Sequence, residues 1–373
     1  MKDYSAIVNG RVFTGDRILE GKAILIEGKT VVDLVDEDQI PDSARRLNAK
    51  GHNVAPGLID LQIYGGGDYL YAAHPTAEAL DHITKALVQS GTTGFMLTLA
   101  TNTIAVFDQA VEAARHYRHP AFMGLHFEGP YLNPAKRGAH PADLIRKPEP
   151  AEIQDMLERA DGLVKMMTIA PERFDADGID VLLRHGVLIS AGHSNATYDE
   201  AVTGFDRGVS AVTHLFNAMS PLHHRETGLP GATYLHDTAC ASIIADGIHV
   251  DYRALSVSKK LLGERLFLIT DAVTATSTGV YTHVLNGDHY TLPDGTLSGS
   301  ALTLMQAVAN CVKFAGIPLD EALRMASLYP ARLIGAADLG RIGSGSTANL
   351  IIFDSDFQLQ QVLLEGVVQS REP

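Results

Sequence analysis

Phe122-Met-Gly-Leu-His-Phe-Glu128, closed by Gly129-Pro130, decides how the rest of the chain is read. A short apolar run ends in one carboxylate and is then broken by residues that cannot continue a strand. The same pattern recurs three times. Val187–Ala191 leads into Gly192-His193, Ala211–Thr213 into His214, and Leu266–Thr270 into Asp271. Runs of β-formers that alternate with helical stretches predict parallel strands. In a closed parallel barrel the strand ends converge on one face, so residues distant in sequence meet around one point.

Eight strand starts are expected, near Val54, Thr92, Phe122, Val164, Val187, Ala211, Ala241 and Leu266. Helical patterns fall between them at Thr76–Ser90, Thr103–Tyr117, Ile179–His185, Thr197–Arg207 and Asp251–Leu262. Two more, Ser300–Ala315 and Leu319–Ile334, are expected to close the barrel. The fold class is therefore α/β, a (β/α)8 TIM barrel. An open doubly wound sheet is disfavoured, because Tyr64-Gly-Gly-Gly is not a dinucleotide fingerprint. Residues 1–53 differ in style, with short strands at Ser5–Thr14, Lys22–Glu27 and Thr30–Asp36. That style returns at Ala348–Asp354 and Gln360–Val368. Residues 1–53 and 336–373 are expected to form one small β-sandwich from both termini, with the barrel, 54–335, inserted between them.

Composition sets outer limits. A hydrophobic content of 46% with 20% charged residues fits a globular enzyme. A net charge of −14 argues against nucleic-acid binding and requires a local cationic site for any anionic substrate. No apolar run approaches the roughly 18 residues of a membrane span, and Met1-Lys-Asp-Tyr opens no signal peptide. Cys240 and Cys311 read as reduced thiols, so a cytoplasmic setting is expected.

Two imidazoles and a carboxylate, His193, His214 and Glu128, suit a catalytic divalent metal that keeps one position open for water. Asp271, at the end of strand eight, is placed to carry protons. His126 shares a strand face with Glu128 and reads as a supporting or core histidine. Asp246 and His249 end strand seven in Ala245-Asp-Gly-Ile-His, where His249 suits substrate better than metal. Serine chemistry is weaker, since Ser194 lacks a Gly-x-Ser-x-Gly elbow.

The motifs Pro56-Gly-Leu-Ile-Asp60, His126-Phe-Glu-Gly-Pro130, Gly192-His-Ser-Asn-Ala-Thr197, Thr213-His-Leu-Phe-Asn-Ala-Met219, Ala245-Asp-Gly-Ile-His249, Thr270-Asp-Ala272 and Gly295-Thr-Leu-Ser-Gly-Ser300 run through nearly the whole chain. Together they resemble the N-acetylglucosamine-6-phosphate deacetylase family of the amidohydrolase superfamily. The resemblance implies hydrolysis of the sugar's acetamide to acetate and glucosamine 6-phosphate. It implies metal ligation by Glu128, His193 and His214, proton transfer by Asp271, and polarisation of the acetyl carbonyl by His140. Gln62, Ala139, Asn217, Ala218, Asp246 and His249 would contact substrate, with Leu297, Ser298 and Gly299 lining the pocket. Arg225, in His223-His-Arg225, supplies the best phosphate fork. Its Pro- and Gly-flanked loop, together with the resemblance, suggests a homodimer in which Arg225 reaches the neighbour's site.

Many superfamily members carry His-x-His on strand one for a second ion, and the segment read as corresponding here is Asp60-Leu-Gln62. An amide is a poor ligand beside imidazole, and Lys165 starts its strand away from the active face. One ion per subunit is expected, most simply zinc, with iron, cobalt or manganese compatible. The rival readings are a deacetylase of the epimeric N-acetylgalactosamine 6-phosphate, another amidohydrolase such as a cyclic-amide hydrolase, and a barrel module without catalysis.

Overall fold

The computed structural model describes residues 4–370. Eight parallel strands pair in sequence order. They are β1 Leu58–Ile63, β2 Thr92–Ala100, β3 Phe122–Glu128, β4 Val164–Ile169, β5 Leu188–Ala191, β6 Ala211–Val212, β7 Cys240–Ile244 and β8 Leu266–Ile269. An Ile63–Ala272 bridge joins the last strand to the first, which closes the ring. All six residues of β1 are buried, as are all four of β8. Strands apolar on both sides are what a barrel requires, with one face toward the interior and the other toward helices.

The start expected near Val54 is a correction. Asn53–Pro56 pairs with Leu350–Phe353 in the terminal sheet, and the barrel begins at Leu58. Gly57 interrupts one apolar run and separates two strands of different sheets. Helices follow at Ala77–Gln89, Ile104–Arg115, Ala176–Arg184, Tyr198–Asp206 and Tyr252–Leu262, within a few residues of expectation. Thr103 and Thr197 cap theirs through side-chain oxygens, and Thr197 forms a capping box with Glu200. Pro150–Ala160 and Gly228–Leu235 are additional helices, and the stretch Leu319–Ile334 is two short ones, Leu319–Met325 and Leu328–Leu333.

The described residues divide into two compact units: residues 4–60, 85–94 and 303–370 in one, 61–84 and 95–302 in the other. In the first, a four-stranded sheet runs Thr30–Val35, Ala23–Glu27, Tyr4–Val8, Arg45–Asn48. A six-stranded sheet combines Asn53–Pro56, Arg11–Phe13 and Ile18–Leu19 with three C-terminal strands. Ile7, Ile24, Ile26 and Val31 of one sheet share a core with Val12, Val54, Leu350, Ile352 and Leu363 of the other. Each sheet thus buries its apolar face on its partner, the sandwich solution. The second unit also carries an antiparallel hairpin and third strand, Val284–Asn286, His289–Thr291 and Leu297–Ser300.

Candidate active site and metal centre

Glu128, His193, His214 and Asp271 meet at the downstream end of the barrel strands. The Glu128 Oε1 lies 3.1 Å from His214 Nε2 and 3.3 Å from His193 Nε2, and the two nitrogens are 3.2 Å apart. Zinc bonds of about 2.0–2.1 Å in tetrahedral geometry place neighbouring ligand atoms roughly 3.3–3.4 Å apart. The three atoms therefore already describe one face of such a polyhedron. Asp271 brings a further carboxylate into the same group.

The tautomers sort the histidines. His193 Nδ1 is 2.9 Å from the Lys136 carbonyl, which only accepts, so Nδ1 carries the proton and Nε2 keeps its lone pair. His140 is the reverse. Its Nδ1 accepts from the Thr101 backbone N–H at 3.3 Å, so its proton sits on Nε2, which points at Glu128 Oε2 at 3.1 Å. His193 thus offers a lone pair at Nε2 and His140 a hydrogen-bond donor there. Burial, then His193, pushes the His140 imidazole down to about 4 against the opposing pull of Glu128. Burial likewise lowers His214. Burial works against the charge of Glu128, yet His193 and His140 hold its carboxyl well below the usual range.

His126 is a satisfied core histidine. Its Nδ1–H reaches the Leu61 carbonyl at 2.9 Å and its Nε2 the Thr168 hydroxyl at 2.8 Å, and burial drives it down to about 4.

The backbone at the site is held away from ordinary conformations. His193, His214 and Asp271 have φ of 48°, 35° and 54°. Left-handed backbone in non-glycine residues costs about 1–3 kcal/mol each and persists only when surroundings enforce it. Here the Asn133 N–H binds the His193 carbonyl at 2.9 Å, the Ser242 hydroxyl accepts from the His214 N–H at 2.8 Å, and Asp271 N–H donates to the Gln62 carbonyl at 3.0 Å. Gly192 is required for close approach, since a Cβ there would lie 2.6 Å from Thr168 Cγ2 and 2.8 Å from Thr213 Cβ.

A cavity of about 250 Å3 opens over this group. Its wall contains Ala139, His140, Asn217, Ala218, His249, Leu297, Ser298 and Gly299 as well as the four strand-end residues. Three expected site residues lie outside it. Gln62 is buried at its floor. Asp246 is spent on His249: one oxygen meets the His249 ring at 2.5 Å and the other the backbone N–H groups of Ile248 and His249. Burial opposes the Asp246 charge, but those bonds hold its carboxyl below its ordinary value. Arg225 is exposed on a loop folded by the paired His223 and Glu226 backbones. Among the described residues lining the cavity there is no lysine or arginine. Lys165 is exposed near the start of β4, as its position in the sequence implied.

Tyr64 was missed from sequence. Its hydroxyl donates to Glu128 Oε2 at 2.5 Å, and burial, then the charges of Glu128 and Asp271, push the phenol well above its ordinary value. The first-strand pair facing the site is Gln62 and Tyr64, which corrects the reading of Asp60-Leu-Gln62 as the segment in question. Strand alternation from Gln62 was the signal. Tyr281 and His283 also line the cavity, with their rings stacked at 5.7 Å and His283 Nδ1 2.9 Å from Ser298 Oγ.

Residues 53–369 match the amidohydrolase family and residues 4–54 the NagA composite domain. The chain is 33% identical to the N-acetylglucosamine-6-phosphate deacetylase of Haemophilus influenzae, covering 97% of this chain and 98% of that one. It is 31% identical to the N-acetylgalactosamine-6-phosphate deacetylase of Escherichia coli, over 89% and 91%. A variant of the Mycobacterium smegmatis N-acetyl-D-glucosamine-6-phosphate deacetylase, solved in complex with N-acetyl-D-glucosamine-6-phosphate, superposes with a TM-score of 0.91 at 30% identity, covering 98% and 99%. With a closed barrel, a terminal sandwich and a buried Glu-His-His-Asp group in place, this chain belongs to the amidohydrolase family, among its N-acetylglucosamine-6-phosphate deacetylases.

Proposed function

We propose that this enzyme hydrolyses the acetamide of N-acetyl-D-glucosamine 6-phosphate, releasing acetate and D-glucosamine 6-phosphate. The observation that carries the reading is the convergence of Glu128 Oε1, His193 Nε2 and His214 Nε2 at 3.1–3.3 Å beside Asp271 in one cavity. One divalent ion, most simply zinc, fits those three atoms. Such an ion supplies Lewis acidity and lowers the pKa of water toward roughly 7.

The chain's own groups do the rest. Asp271 takes a proton from the attacking water and later delivers it to the leaving amine nitrogen. His140, a donor at Nε2, stabilises negative charge growing on the acetyl oxygen. Asn217, Ala218 and His249 face the sugar from the cavity wall, and Asp246 acts through His249 by fixing its ring. Gln62, beneath the wall, acts by holding Glu128 and Asp271 rather than by touching sugar. The phosphate requires a cation, and the described residues of the wall include no lysine or arginine. Exposed Arg225 fits that need if a two-fold partner supplies it, because such symmetry serves both sites alike. The barrel strands and loops between Leu58 and Leu302 carry the chemistry. Only two cysteines in the chain, Cys240 and Cys311, and a charged sugar phosphate as substrate support a cytoplasmic setting.

Acetate release tests the reading. The gluco 6-phosphate should be used far better than unphosphorylated N-acetylglucosamine, and better than the galacto epimer. Equal use of the unphosphorylated sugar would remove the phosphate from the argument. Preference for the epimer would move the enzyme to the neighbouring specificity.

A further inference from the structure

Barrel strand β4 lies between β3, which delivers Glu128, and β5, which delivers His193. It supplies none of the four residues of the metal group. Its downstream turn, Pro171–Arg173, carries Glu172, and that carboxylate is bonded to both neighbouring loops. Oε1 accepts from the Asn133 side-chain amide at 2.8 Å and from the Asn195 backbone N–H at 2.7 Å, while Oε2 accepts from the Ser194 hydroxyl at 2.7 Å. Arg173 adds a bond from its guanidinium to the Leu132 carbonyl. The turn after β4 thus ties the loop after β3 to the loop after β5.

Both loops hold His193. The Asn133 N–H donates to its backbone carbonyl at 2.9 Å, and its own Nδ1–H goes to the Lys136 carbonyl at 2.9 Å. Asn133 and Lys136 belong to one turn, closed by the Lys136 N–H on the Asn133 carbonyl at 2.9 Å. Ser194 and Asn195 directly follow His193, whose φ of 48° must be enforced from outside. The His140 ring, carried farther along the β3 loop, stands 4.3 Å from the His193 ring. The aim of the His193 imidazole and its spacing from His140 therefore depend on how the two loops are held together. An ionised carboxylate suits that task, because it only accepts and its charge-assisted bonds are short and strong.

We propose that Glu172 is a positioning residue: by bracing the β3 and β5 loops against each other it aims His193 Nε2 at the ion and sets its spacing from His140. This rests on the metal centre assigned above. Glu172 is in neither group of candidate ligand atoms and acts through His193.

The test uses full-length protein, stripped with a chelator and titrated with Zn2+ well below its melting temperature. Kd from chelator competition and Tm from circular dichroism are read for wild type, Glu172→Ala, Glu172→Gln and Ile352→Val, a truncation in the sandwich core. Glu172→Ala should bind Zn2+ about 10–100-fold more weakly, the usual loss when the groups that orient a ligand are removed. Glu172→Gln keeps an oxygen for the two amide donors and turns an NH2 toward the Ser194 oxygen, so it should restore binding nearly to wild type. Ile352→Val should lower Tm and leave Kd unchanged. Wild-type Kd in Glu172→Ala would overturn the inference. A Glu172→Gln variant as weak as Glu172→Ala would also overturn it, by assigning the effect to charge and not to the brace. So would a shifted Kd in Ile352→Val, which would point to general loosening. Should Glu172→Ala fail to fold, Ser194→Ala removes one of the three donors and should weaken Zn2+ binding in smaller measure; an unchanged Kd there would contradict the proposal. Wild type that binds no ion would instead sink the metal centre itself.

Discussion

At the floor of the cavity Glu128, His193, His214 and Asp271 are almost wholly buried, and three of the four sit in enforced left-handed backbone. At the rim, the loop after β6 is exposed from Pro221 to Glu226 and carries Arg225 into solvent. The floor is a finished device within one chain. Orientation is fixed before substrate arrives, which is what chemistry demands of reacting groups. Among the described residues the cavity wall has no lysine or arginine, although the proposed substrate brings a phosphate. In the proposed reading, bond-breaking machinery is intramolecular, whereas recognition of the charged end is left to a loop that can serve a partner.

If that contrast is right, substitutions at the floor abolish or cripple turnover and substitutions at the rim only weaken substrate use. His193→Ala or His214→Ala should leave the protein folded, empty of metal and without measurable acetate release. Elemental analysis and a circular-dichroism melt check this, and retained metal with retained activity would remove that histidine from the ligand set. Asp271→Asn should keep the ion but lower kcat by about 10²–10⁴-fold. Near-normal turnover in that variant would exclude Asp271 as the proton carrier.

At the rim, Arg225→Ala should reduce kcat/KM for the 6-phosphate by roughly 10–150-fold, the loss of a charge-assisted contact of about 1.5–3 kcal/mol. Activity on unphosphorylated sugar should hardly move. Mixing Arg225→Ala and Asp271→Asn chains after unfolding sharpens the comparison. With donation across a dimer, one site in each mixed pair carries both lesions and the other neither, so activity partly returns. Silent mixtures, with mixed dimers demonstrated, would confine Arg225 to its own chain.

The smallest effects concern two glycines. Gly192→Ala places a Cβ against Thr168 and Thr213 beneath the ligands, and should destabilise by about 1–3 kcal/mol and loosen metal binding. Gly287→Ala meets open space at φ 67° and should lower stability by only about 1 kcal/mol, with the ion undisturbed. Equal melting shifts would contradict the picture of a rigid floor.

Much of this was legible because barrel chemistry sits at strand ends. Glu128, His193, His214 and Asp271 each close an apolar run, so local pattern and proposed function coincide. Where they part, sequence reading fails. Asn53–Pro56 is as apolar as a barrel strand, and only pairing with Leu350–Phe353 sends it to the sandwich. His140 lies on a loop, far from any strand end, so resemblance alone pointed to it. The 284–300 hairpin passed unnoticed even though Gly287-Asp288, the two residues between its first strands, is a turn signal. Left-handed backbone at two histidines and an aspartate has no local signature, since tertiary hydrogen bonds impose it. Tyr64 was hidden by a two-residue shift in how strand one was matched to His-x-His.

Titration of metal-stripped enzyme with Zn2+, followed by acetate release from N-acetylglucosamine 6-phosphate, tests the single-ion floor most directly. Activity should rise in proportion to added ion and reach its plateau at one equivalent per chain. A rise that continues to two equivalents, or full activity in the stripped protein, would contradict it.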